Sequence, residues 1–419
     1  MRFSKVLFLL LLLSGFPEIL HSQQIPVVYD ERDVPAYTLP DPLMTKDGKI
    51  VKNSRQWMKV RRPELMDLFR DQMFGYEPAA PDHVEYEVVK VVPDVFDGLA
   101  TMKEVKLFLE PSHEHYCLLS IFVPNKRSGP APAFLGINFR NNHGMDTLSV
   151  ISLPPADLLA HYMPSYKMWE RGEASPRWPI RYILSHGYAT VSYNREDADP
   201  DDRKGYDLGI RKVYDAGSRS ANSWGTISAW AWSLSRALDY LEEDPDIDAS
   251  RVAVHGHSRL GKTALWAGAI DQRFALVISN DSGCGGAALS RRGYGETVKI
   301  INNTFPYWFC DNFKQYSGNE AALPFDQHEL IALIAPRPVY VASASEDLWA
   351  DPYGEYLSLV NASPVYKLFG YEGFTSAAIP PVEYPRVEGR MGHHIRKGKH
   401  DMLIYDWANY IAFADRYLK

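Results

Sequence analysis

The sequence predicts an α/β fold in which helices cover both faces of a mostly parallel sheet, a three-layer sandwich. Three observations point there. From Ile121 onward, short apolar runs alternate with amphipathic stretches, the pattern of βαβ units. Several of these runs end directly in polar or glycine residues, so their C-terminal ends open into loops, where open α/β sheets carry their chemistry. The 419 residues are 46% hydrophobic and 23% charged, which is globular and far from disorder. A chain of this length can bury an ordinary core without covalent staples.

In chain order, Met1 to Ser22 reads as a secretory signal that is later removed. Arg2 and Lys5 supply the positive region, Val6 to Leu13 the apolar run, and Pro17 and Glu18 end it well short of the ~20 residues that span a bilayer. A secreted or periplasmic protein is expected, not membrane-bound once the signal is gone. Residues from about 23 to 120 form an N-terminal extension of one catalytic domain covering 23–419, with alternation in Val84–Val92 and Met102–Leu109 suggesting an antiparallel edge. The strands expected next are Pro132–Asn138, Tyr188–Tyr193, Arg251–His255, Ala275–Asn280, Pro338–Ala344 and Met391–Arg396. In Ser223–Glu243 an apolar stripe runs through Ile227, Trp230, Ala231, Leu234, Leu238 and Leu241; Gly261–Ile270 is apolar nearly all round and should be buried. Met402–Leu418 closes the chain with Trp407, Tyr410, Ile411, Ala414 and Leu418 on one face.

The net charge of -7 disfavours nucleic acid as a partner. Cysteines at 117, 284 and 310 allow one bridge at most, with Cys284 and Cys310 as its candidates and Cys117 as a buried thiol. Glu196-Asp-Ala-Asp-Pro-Asp-Asp202 lacks the glycine and bidentate glutamate of a calcium loop, so a solvated or salt-bridged loop near the site mouth is expected.

The most informative stretch is Arg251-Val-Ala-Val-His-Gly-His-Ser-Arg-Leu-Gly-Lys262. A short strand runs into Gly256-His257-Ser258 and a helix follows, the setting of a nucleophile elbow whose helix N–H groups face a developing oxyanion. Leu260 stands where the usual elbow has its second glycine, and Gly261 follows one residue later. An N-capping serine would give the same local pattern. Downstream come the other parts an α/β-hydrolase needs. Asp347 follows the strand Pro338–Ala344, His400 follows Met391–Arg396, and Asp281 ends Ala275–Asn280 as a second carboxylate within reach. His393 and His394 are adjacent in a strand and face opposite ways.

These residues resemble the glucuronoyl esterases, carbohydrate esterase family 15, in their bacterial branch. The match lies in Gly256-His-Ser-Arg-Leu-Gly-Lys262, Ser279-Asn-Asp-Ser-Gly-Cys-Gly-Gly286, Arg292-Gly-Tyr-Gly-Glu296, Glu346-Asp-Leu-Trp-Ala-Asp-Pro352 and His394-Ile-Arg-Lys-Gly-Lys-His400. The resemblance implies an α/β-hydrolase without metal or cofactor that cleaves the ester between xylan-borne (4-O-methyl-)glucuronate and a lignin alcohol. It makes Ser258 the nucleophile, His400 the base, and Asp347 or Asp281 the acid, with Asp347 preferred. Arg259 would face the oxyanion, and Lys262, Glu296 and Trp349 would contact the sugar, with Trp308 as a further wall or a core residue. A monomer is expected. The rival readings are another carbohydrate carboxylesterase, such as a sugar acetyl esterase, and a non-catalytic carbohydrate-binding member.

Overall fold

A computed structural model describes residues 27–215 and 217–419; the expected signal at 1–22 lies outside the described residues. Ten strands form one sheet: β1 Tyr86–Asp94, β2 Ala100–Phe108, β3 Tyr116–Pro124, β4 Ala131–Asn138, β5 Ala189–Asn194, β6 Ile247–His257, β7 Leu276–Asn280, β8 Val339–Ala344, β9 Arg386–Glu388 and β10 Met391–Arg396. Their spatial order is β1-β2-β3-β5-β4-β6-β7-β8-β10-β9. The strands from β5 to β10 in that order run parallel, and the antiparallel pairs sit at the two sides. The expected antiparallel edge is the β1–β2 pair.

Alternation along the strands sorts the core onto two faces. Val252, Val254, Val277, Val339 and Val341 pack into the larger cluster, while Ala253, Leu276, Ile278, Tyr340 and Ala342 pack into a second one on the other face. Six helices matter for the site: α1 Arg62–Phe69, α2 Thr226–Glu243, α3 Arg259–Ile270, α4 Gln327–Ala332, α5 Pro352–Leu368 and α6 Ile404–Ala414. The stripe read on α2, from Ile227 to Leu241, lies in the larger cluster, and that on α6, from Trp407 to Ala414, in the second. Each helix therefore covers the face that its own spacing of apolar residues dictates. Among the described residues no helix is long and apolar enough to cross a membrane.

Two alternatives that the sequence leaves open are decided by the structure. Cys284 and Cys310 do not bridge: all three cysteines are free and buried. The Cys310 thiol faces the Asp71 carbonyl oxygen at 3.7 Å, whereas Cys284 lies among Glu296 and Lys262. Of the two alternatives for the acidic run, the salt-bridged one holds: Glu196, Asp197 and Asp199 are buried, Glu196 pairs with Arg195, and Asp199 pairs with Arg211. Asp197 accepts from the Leu118 N–H and the Tyr162 hydroxyl, and Asp199 from Arg211 and Thr226.

Candidate active site

β6 runs into Gly256-His257-Ser258, and α3 begins at the next residue. Ser258 is held at φ 59°, ψ −127°, a constrained conformation that lifts its side chain off the sheet beside the start of α3. Gly256 is obligatory, because a Cβ there would lie 2.0 Å from the Leu260 carbonyl oxygen. The departure from the usual glycine spacing thus has a cause. Here the first turn of α3 closes on Gly256, and Gly261, where a Cβ would meet the Asn280 carbonyl oxygen at 3.0 Å, lets α3 approach the loop after β7.

His400 lies in the loop between β10 and α6, and Asp347 in the loop after β8. Nδ1 of His400 is 2.5 Å from Oδ2 of Asp347. A carboxylate can only accept, so Nδ1 carries the proton and Nε2 keeps its lone pair free. The Asp347 side chain is 5% exposed and that of His400 41%, so the pair joins a sheltered acid to an imidazole open to the cavity. The ring of His257 stands 4.5 Å from that of His400 and is anchored through Nδ1 to Oδ1 of Asn280 at 2.6 Å. Burial, with His400 adding to it, pushes His257 well below the usual imidazole range, so a neutral ring flanks His400.

A cavity of about 600 Å³ collects all nine residues singled out from the sequence: Ser258, Arg259, Lys262, Asp281, Glu296, Trp308, Asp347, Trp349 and His400. Their loops are tied to one another. The Glu296 N–H donates to the Trp349 carbonyl at 2.9 Å, and Arg292 bonds Asp351, the N-cap of α5, at 2.8 Å. Lys262 donates to the Ser282 carbonyl at 2.5 Å and lies 3.9 Å from Glu296. Burial lowers the lysine and raises the glutamate, and each moderates the other's shift. Trp308 is both wall and core, being 2% exposed and stacked on Phe305 at 3.7 Å, while Trp349 is 41% exposed at the rim.

The family model described as glucuronyl esterase, fungi, matches residues 176–370. A glucuronoyl esterase structure from Solibacter usitatus superposes with a TM-score of 0.86 at 40% identity, covering 92% of this chain and 99% of its own. A promiscuous esterase of carbohydrate esterase family 15, from a marine bacterial metagenome, gives 0.85 at 43% identity over 94% of this chain and all of its own. A 4-O-methyl-glucuronoyl methylesterase of Wolfiporia cocos is 30% identical over 89% of this chain and 83% of its own length. The chain belongs to the glucuronoyl esterases. It is accordingly a carboxylic ester hydrolase with an α/β-hydrolase fold.

In this esterase Asp281 lies beside the His400–Asp347 pair but bonds to neither. One oxygen from each acid and a ring nitrogen of His400 fall within 4.8 Å of one another. Both Asp281 oxygens are buried without a partner, and Arg396 comes no nearer than 3.9 Å. Burial, reinforced by Glu355, Asp347 and Asp406, raises its carboxyl well above the usual range. Sequence reasoning missed other groups around the cavity. Ile300, Thr304 and Phe305 line it, and the carboxylate of Glu355 on α5 accepts from the Ser282 and Gly283 N–H groups at 2.8 and 2.9 Å. Their nearest signal was the apolar pattern around Trp308, and for Glu355 there was none, because its partners are distant in sequence. Of the neighbouring titratable residues, His394 bonds Asp406 and Tyr340, His393 is buried on the opposite face, and Glu346, next to Asp347, is exposed.

Proposed function

We propose that residues 23–419 form an exported catalytic unit that cleaves (4-O-methyl-)glucuronate esters joining glucuronoxylan to lignin alcohols through an acyl-enzyme. The observation that carries this reading is the single cavity in which Ser258, the His400–Asp347 pair, Arg259 and the sugar-facing Lys262, Glu296 and Trp349 all meet. Ser258 Oγ attacks the ester carbonyl while Nε2 of His400 takes its proton. The only side-chain hydrogen bond of His400 among the described residues is from Nδ1 to Asp347, which leaves Nε2 for the Ser258 proton. Negative charge then grows on the carbonyl oxygen, facing the Arg259 guanidinium and the N–H groups at the start of α3. Collapse expels the alcohol, which takes the proton from His400, and water repeats the sequence to release the uronic acid. An esterified glucuronate carries no charge at its carboxyl, so its recognition falls to hydroxyls. Lys262 can donate to them and Glu296 accept, with the Trp349 indole against the apolar sugar face. Export is supported by Arg2, Lys5 and the apolar run Val6 to Leu13.

A second reading, a broader ester hydrolase that also takes acetylated sugars, is favoured by the promiscuous relative at 43% identity. The deciding experiment compares hydrolysis of benzyl glucuronate with that of a simple acetyl ester, using the wild type and Ser258→Ala. Uronate turnover that disappears in the variant, with little acetyl cleavage, supports the first reading. Faster acetyl cleavage supports the second, and activity that survives in Ser258→Ala removes the nucleophile assignment.

A further inference from the structure

The acidic run after β5 includes Asp201, whose side chain is 1% exposed. Four donors converge on its carboxylate. Oδ1 accepts from Nε1 of Trp308 at 2.8 Å and from the Tyr307 hydroxyl at 3.0 Å. Oδ2 is paired with Nη1 of Arg259 and, at 3.1 Å, with Nη1 of Arg195. Arg195 is braced in turn by Glu196 at 3.0 Å. On its other side the Arg259 guanidinium lies against the rings of Trp308 and Phe305, 4.7 and 5.1 Å from their centroids. One carboxylate thus holds two of the groups that line the cavity, Arg259 and Trp308, and ties both to the sheet through Arg195.

A free arginine side chain samples many rotamers, and holding a cation where charge will develop is what makes it worth more than the same cation in solution. Asp201 does this for a side chain that is one quarter exposed to the cavity. Without its charge, Arg195 and Arg259 would be two guanidinium groups converging on one point with nothing between them. Burial alone would raise the Asp201 carboxyl; Arg195 and Arg259 reverse that and hold it below the usual range, so it stays ionised.

We propose that Asp201 is a positioning residue of this esterase: its carboxylate fixes the Arg259 guanidinium at the place where the oxyanion forms and sets the Trp308 wall beside it. The inference rests on the reading of Arg259 as the oxyanion's cation. It assigns part of the acidic run a role in turnover, where sequence suggested only a solvated or salt-bridged loop near the site mouth.

The test is a cycle of Asp201→Asn, Arg259→Ala and the double variant, assayed with benzyl glucuronate, with the melting temperature of each recorded. An interaction made only in the transition state lowers kcat and leaves KM nearly in place. Arg259→Ala is expected to lower kcat about 10²-fold, and Asp201→Asn at least about tenfold with KM within about threefold. The double variant should have a kcat no lower than Arg259→Ala alone, because the effect of Asp201 on kcat runs through the arginine. If the two losses multiply, Asp201 acts independently and the inference falls while the oxyanion reading stands. If Arg259→Ala leaves kcat unchanged, the oxyanion reading falls and takes this inference with it. Asp201→Glu, which keeps the charge, guards against a variant that does not fold. It should show the same lack of additivity with Arg259→Ala, and multiplying losses there overturn the proposal equally.

Discussion

Two aspartates stand within reach of His400, and their surroundings separate their roles. Asp347 bonds the imidazole at 2.5 Å, whereas Asp281 is sealed in with unpartnered oxygens and a carboxyl raised by burial. Asp281 bonds neither His400 nor Asp347, so an amide of nearly the same shape removes no contact there. Asp281→Asn is therefore expected to keep kcat within about tenfold of the wild type, whereas Asp347→Asn, by disturbing the tautomer of His400, should cost about 10⁴-fold. Steady-state kinetics on the two variants checks this, and equal losses would mean the acids share the task. The sequence places both carboxylates at strand ends and prefers Asp347 only slightly, because the burial of Asp281 against Glu355 and Asp406 comes from residues far away along the chain. Whether the acidic run is solvated or salt-bridged stayed open in the sequence for a similar reason. The partners Arg211, Thr226, Tyr162, Arg259 and Trp308 come from other elements, and composition alone could not choose between water and salt bridges.

Among the secondary-structure elements, legibility followed the contrast between faces. β4 to β8, α2 and α6 were readable because each has clean boundaries or a one-sided stripe. β3 was not among the expected strands, since all nine of its residues are buried and show no alternation. α5 was missed altogether: it carries apolar residues around most of its circumference and Pro364 within it, which reads as an end signal. The turn between β6 and α3 was the best-signalled junction, and its cost of change is predictable. Gly256→Ala places a Cβ 2.0 Å from the Leu260 carbonyl oxygen, so the first turn of α3 must shift. A stability loss of about 1–3 kcal/mol is expected. A displacement of about 1 Å at Ser258 would also lower kcat about 10²-fold. Thermal melting and turnover measured together test both, and a variant that melts lower yet turns over normally would show that the elbow tolerates the shift.

For the molecule as a whole, acid is the revealing perturbation. Burial lowers His255 to about 3, and it lowers His328 to about 4 against the pull of Asp326. An unfolded histidine titrates near 6.5, so below that pH the unfolded chain takes up protons that these folded sites refuse. The stability each neutral ring contributes is complete above about 6.5 and is lost as pH falls toward its folded value. His255, wedged between Trp178 and Trp407 at 5.1 and 4.9 Å, offers the cleanest measurement. Between pH 6.5 and pH 4 the unfolding free energy of His255→Leu should gain about 3 kcal/mol on the wild type. Urea titrations at the two pH values check it, and a constant difference would mean that His255 takes up its proton without unfolding. The three uncrosslinked, buried cysteines have a consequence of another kind. Burial holds Cys117 and Cys284 well above the usual thiol range and Cys310 at about 11, so little reactive thiolate exists while the chain is folded. A chromogenic disulfide reagent added to the native enzyme should stay colourless and then release three equivalents together whenever a molecule opens. The enzyme carries its own stopwatch for unfolding, with a hand in each of three regions, and a single early equivalent would show which region lets go first.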